Sequence, residues 1–435
     1  MTNSINGVSS SYSSLTFASV ATTSPATWTT TEIQALVAAD VTALKPTVIS
    51  SWSTTQVNAM GTDVFAALSA TQIQALTTSQ VNNLTTTAVA ALTSGQLNAL
   101  KSTQVKAMTT DQVNSIATST LSSVKGSQLA LLSTTQVAAL TTTNVGGLTS
   151  TQVASLTTDQ IVSLIGAQFQ ALGNKVAGLT GYQVSKMETN DLNALTTTQM
   201  DALTALQVKA LTSTQLENIS TTNLQAITAS DLVSLTGKQV GAMTTAGIQA
   251  LTTAQVAALT KDEVSGLTTD QVRALTSSQV QALSTAALAA FTSTQIGGFD
   301  TTQVSKLTTD QAKALTVGQI ASMSTAQVNA LGTSQVQALS LNQVKALTTA
   351  QVAGLSTAQV ASLSTSQLAA MEISDVGALT STQANALTTS QVQALTASQI
   401  KGLSTSTVAG LGTTQATALT SSQLAAFKTD QIKAM

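Results

Sequence analysis

Apolar side chains recur along this chain with a period of eight residues. Thr149-Ser-Thr-Gln-Val-Ala-Ser-Leu156 is followed at once by Thr157-Thr-Asp-Gln-Ile-Val-Ser-Leu164. The frame T-T-x-Q-V-x-A-L puts its last residue at 36 and at every eighth residue to 172. A seven-residue unit from Gly173 to Leu179 follows, and the octads then resume with Met187 and run to Met435, making 51 units. Position eight is always apolar, usually Leu, with Trp52, Met60, Ile116, Val124 and Phe291 among the variants. Position five is never polar either, and it falls to Ala only at Ala312, Ala384 and Ala416. Position seven is mostly Ala, Ser or Gly, small enough for close backbone approach. Positions three and six vary freely, which marks them as solvent-facing.

The pattern distinguishes helix from strand. Thr, Ser and Val favour a strand by propensity, but alternation would send positions five and eight to opposite faces. Spacing i, i+3 makes them neighbours on a helix. Most octads also open with Thr or Ser and carry Gln three residues later, the capping box that satisfies free N–H groups at a helix start. Gln holds position four in 35 of the 51 units. Glu32, Asp40, Asn144, Asp191, Asn223, Asp231, Glu263 and Asp375 take it in eight more. One continuous helix is excluded, because eight residues at about 100° each would rotate the apolar pair by about 80° per unit. The expectation is therefore an all-α solenoid with one very short helix per octad, two or three helices to a turn. A Thr-rich β-solenoid is the alternative. Helices this short are unstable alone, so each must pack on its neighbours.

Domain organisation follows from the frame. Residues 1–28, with Tyr12, Phe17, Pro25 and Trp28, do not obey the repeat and read as an N-terminal cap or docking arm. Residues 29–435 form the array, with a register break at 173–179 and a second candidate irregularity at Lys45-Pro46. The array stops without a polar capping helix, so Ile432 and Met435 are expected to leave an apolar layer in need of a cover.

Composition then narrows the function. The chain has 435 residues with no His and no Cys, 8 % charged and 2 % aromatic residues, and a net charge of −2. Without His or Cys there is no usual zinc site, no haem or iron–sulfur ligation, no disulfide, and no Ser–His or Cys–His nucleophile. Thinly spread Lys and Arg do not make a nucleic-acid groove. No catalytic, cofactor-binding or metal-ligating residue is expected, and no enzyme activity. Asp111, Asp159, Asp270, Asp310 and Asp430 at position three suit the first turn of a helix, where the macrodipole favours negative charge, better than a calcium site. Lys106, Lys209, Lys313, Lys345 and Lys433 at position six read as solvated. Phe65, Phe169, Phe291, Phe299 and Phe427 sit at core positions. No run of 18 apolar residues spans a membrane, and Met1 to Val20 lacks the basic start and apolar core of a signal peptide.

The runs Leu251 to Leu259 (LTTAQVAAL) and Leu275 to Leu283 (LTSSQVQAL) resemble the tandem LTxxQVxAL repeats of long, low-complexity bacterial proteins, many of them adhesin-like surface proteins. That resemblance implies a bacterial extracellular structural role and carries no catalytic residue across. A chain with only 8 % charged residues, where a soluble monomer usually has a surface about 25–35 % charged, points the same way, to self-association. The expected protein is a self-assembling structural protein, forming an extracellular filament or surface layer with itself as partner. An adhesin stalk, or a carbohydrate- or ice-binding surface with a cell-surface polysaccharide as partner, is the alternative.

Overall fold

The structure is a computed structural model and describes residues 28–435. The expected arm at 1–28 therefore lies outside the described residues except for Trp28. Among the described residues fifty short α-helices and one 3-10 helix follow one another, one per unit, and no strand occurs. The chain is an α-solenoid, and the β alternative falls. Most helices have five or six residues, such as Thr349–Ala353 and Thr357–Ser362.

The bend between octads does not require glycine. In the octad ending at Leu363, the helix Thr357–Ser362 stops at Leu363, which turns extended with φ −59° and ψ 135°. Ser364 is extended too, with φ −67° and ψ 157°, and caps the next helix, Thr365–Ala370. Two extended residues thus reverse the chain, and both conformations are open to any L residue. Among the described glycines only Gly173 has positive φ, at 54°.

Helices pack against the third helix before and after them. Position seven makes that contact. A Cβ on Gly147 would stand 1.9 Å from the Thr118 side chain, and one on Gly266 would stand 1.9 Å from the Gly237 carbonyl. Both neighbours occupy position two of the third octad back, so small residues there are a steric requirement. Glutamine side chains meanwhile reach the fourth octad back, as with Gln351 and Ile320. A turn therefore takes more than three octads and fewer than four, which corrects the expected two or three.

Positions five and eight form the core. Val352, Leu355, Val360 and Leu363 are buried, as are Phe65, Phe169, Phe291, Phe299 and Phe427. The Phe291 and Phe299 rings meet edge to face at 5.8 Å. In the last octads Leu424, Ile432 and Met435 are about half exposed. The chain divides into two compact units, one ending at Ala210 and one running Leu211–Met435. Each is an array of the same octads.

The two irregularities are absorbed differently. Pro46 occupies the first position of helix Pro46–Ser51, where a missing N–H costs nothing; Lys45-Pro46 is thus an ordinary helix start. The seven-residue unit forms the 3-10 helix Gly173–Gly178 and still buries Val176 and Leu179.

Candidate functional site

The repeated polar constellation at position four is the most elaborate chemistry in the array. Gln351 is representative. Its Oε1 accepts from the Thr348 N–H at 2.8 Å while its own N–H donates to Thr348 Oγ1 at 3.2 Å, closing the capping box. Its Nε2 donates to the Ile320 carbonyl at 3.0 Å and the Met323 carbonyl at 2.6 Å. Those carbonyls belong to positions five and eight of the fourth octad back. The same geometry recurs at Gln80, Gln152, Gln255, Gln319 and Gln391. Gln351 is only 2 % exposed.

One primary amide therefore caps its own helix and ties it to the preceding turn. The capping half follows from the sequence, but the tie was missed, and with it the burial of these side chains. A signal for it was present. A carboxylate closes a capping box as well as an amide does, yet Gln outnumbers Glu 35 to 2 at position four. A requirement for a donor at a buried position, where a carboxylate also costs desolvation, explains that imbalance.

Shorter or charged residues at position four expose the rule by breaking it. Thr407 keeps half the tie, its Oγ1 donating to the Leu379 carbonyl at 2.6 Å. Glu263, buried at 3 %, closes the box through one oxygen, which accepts from the Thr260 N–H at 2.7 Å. It has no amide hydrogens to offer the turn behind. In the seven-residue unit Lys175 Nζ donates instead to the Gly146 carbonyl. Asp191 and Asp375 each follow a Glu at position one, the only two such units. Burial first, and the Glu188 carboxylate second, push Asp191 from the ordinary 3.8 up to about 6. Asp375 is raised by burial and then by Glu372, against a lowering hydrogen bond from Ser374.

A second device repairs missing boxes. Ala88 cannot accept from the Thr85 N–H, and Asn58 Oδ1 takes that bond at 3.1 Å from position six of the fourth octad back. Asn144 is a methylene too short, and Asn114 Oδ1 accepts from Thr141 N–H at 3.1 Å. Asn98 does the same for Lys125 at 2.7 Å. The Asn58 and Asn114 amides also donate forward, to the Asn83 and Ala139 carbonyls. Position six thus varies, but not always idly.

The residues singled out by sequence remain apart. Asp111, Asp159, Asp270, Asp310 and Asp430 sit in first helical turns. Lys106, Lys209, Lys313, Lys345 and Lys433 lie exposed in last turns, where cations suit the dipole. Among the described residues no three carboxylates gather as a metal site would need. No helix there is long and apolar enough to cross a membrane.

A family model for the ALTTAQ repeat matches residues 33–70, 89–118, 125–158, 184–221, 224–261, 238–269, 277–309, 309–341, 341–372 and 368–405. These segments cover well over half of the chain. The chain belongs to the ALTTAQ repeat family. The six letters read as positions seven, eight, one, two, three and four of the octad, as in Ala250 to Gln255. The ALTTAQ motif so defined spans the small contact residue, the core Leu, the cap and the tying Gln. Residues 159–183, which hold the seven-residue unit, fall between matches. No curated protein matches this ALTTAQ chain.

Proposed function

We propose that this protein is a self-assembling structural protein of the bacterial cell surface, building an extracellular filament or surface layer from its solenoid units, and that it is not an enzyme. The observation carrying the reading is the neutrality of the outward positions. Positions one, two, three and six are filled mainly by Thr, Ser, Ala and Gln, and the whole chain holds 16 cations and 18 anions. Such a surface offers little electrostatic repulsion between copies. The buried ladder, in contrast, uses its polar groups internally, to cap helices and tie turns. Electron microscopy of the purified chain tests the reading: filaments or sheets are expected, and particles of one fixed size at all concentrations and ionic strengths would refute it.

The exposed Thr and Ser favour a second reading, an adhesin stalk or a polysaccharide- or ice-binding surface. Retention on a cell-surface polysaccharide column, or thermal hysteresis, by protein that does not assemble would favour that reading instead.

A further inference from the structure

Position two of the octad is Thr or Ser in most units, and a bulky aliphatic side chain takes it at only three places, Val317, Leu341 and Ile373. They are 46 %, 48 % and 49 % exposed. Their spacing is three octads and then four, the interval that brings successive turns together. Helices Val317–Ser322 and Leu341–Lys345 pack on each other. Lys345, on the Leu341 helix, reaches Glu372, the residue before Ile373, at 3.3 Å. The three side chains therefore line up along one side of three consecutive turns within the second compact unit. Ile373 lies against Gly402 on the next turn, where a Cβ would come within 2.5 Å of its Cγ2. Scattered exposed aliphatics need no explanation, but three confined to one column, at a position that is Thr or Ser in most units, do.

We propose that the Val317–Leu341–Ile373 stripe is a contact surface for a second copy of this chain, paired about a two-fold axis passing between the Leu341 and Ile373 turns. The occupant follows from charge. Such an axis sets Leu341 of one copy against Ile373 of the other. It also sets Lys345, 59 % exposed, against Glu372 of the other copy, 52 % exposed, so the patch is complementary to itself. The inference rests on the self-assembly reading above and names the surface it uses.

Sedimentation equilibrium of the full chain tests it. The wild-type chain is expected to associate, and the triple variant Val317→Thr, Leu341→Thr, Ile373→Thr to weaken that association at least about tenfold. Threonine is the commonest residue at position two, so an unchanged helical circular dichroism spectrum is expected. Lys345→Glu and Glu372→Lys should each weaken pairing, and the double exchange should restore it. Association of the triple variant as tight as wild type overturns the stripe while leaving self-assembly standing. A wild-type chain that stays monomeric at every concentration overturns both. Loss of phosphatidylcholine-vesicle binding by the triple variant, with association unchanged, would assign the stripe to lipid and overturn the pairing.

Discussion

Replacing Gln351 by Glu changes one atom's hydrogen-bonding character at constant shape, and two accounts of position four then give opposite signs. If the residue only caps its helix, Glu should match or exceed Gln, because the helix N-terminus favours negative charge by about 0.3–1 kcal/mol. If it ties two turns, an oxygen replaces Nε2 against the carbonyls of Ile320, at 3.0 Å, and Met323, at 2.6 Å. The Ile320 carbonyl already accepts from the Met323 N–H, but the Met323 carbonyl lies past the end of its helix and has no helical donor. Gln351→Ala removes a side chain that is 2 % exposed and orphans the buried Met323 carbonyl together with the part-buried Thr348 N–H. At about 1–3 kcal/mol per buried orphan, plus a small cavity, the loss is about 3–5 kcal/mol. Gln351→Glu keeps the cap but opposes oxygen to oxygen, so a loss of about 3 kcal/mol or more is expected at pH 7. Glu263→Gln is the natural converse and should stabilise its region by supplying the absent donor. Because solenoids open in segments, the measurement is native-state hydrogen exchange over residues 317–355 and 229–267. Gln351→Glu exchanging no faster than wild type at pH 7 would refute the tie.

Two further outcomes are expected. Asp191 has a folded-state pKa of about 6 against 3.8 ordinarily, so the folded form binds its proton first and stability rises as pH falls through 6 toward 3.8. At pH 7.5 its ionised form costs stability, and local protection around 188–195, taken as exchange relative to the intrinsic rate at each pH, should rise on moving to pH 4.5. Asp191→Asn should remove that pH dependence; an unchanged profile would contradict the burial and Glu188 argument. Asn114→Ala strips the Thr141 N–H of its acceptor and should cost about 1–2 kcal/mol in chemical denaturation. Adding Asn144→Gln, which lengthens the side chain enough to close its own box, should recover most of it.

The fold was legible because its determinants are periodic and local. Positions five and eight fix the buried face, and the Thr–Gln pair fixes each helix start, so helix type and frequency follow from one octad. The turn was not legible in that way. Nothing within Thr348 to Leu355 states that Gln351 will meet residues 31 and 28 places earlier, since the number of octads per turn depends on packing across turns. The small residues at position seven hinted at close approach without naming the neighbour, which Gly266 and Gly237 supply. The Asn58, Asn98 and Asn114 repairs were hidden for the same reason: each serves an octad four units later. The stripe at Val317, Leu341 and Ile373 becomes a stripe only once the turn length is known.

Every tie in the ladder points one way along the chain. Gln255 donates to Leu224 and Ile227, and Gln391 to Val360 and Leu363, always from the later octad to the earlier. A chain leaving the ribosome N-terminus first has therefore already synthesised the acceptors for each new glutamine. Past the first turn an emerging octad finds the carbonyls for its glutamine already made, and only the forward bonds, such as those from Asn58 to Asn83 and from Asn114 to Ala139, wait for later sequence. Growth of the fold can keep pace with translation one octad at a time, with contacts spanning about thirty residues however long the array becomes.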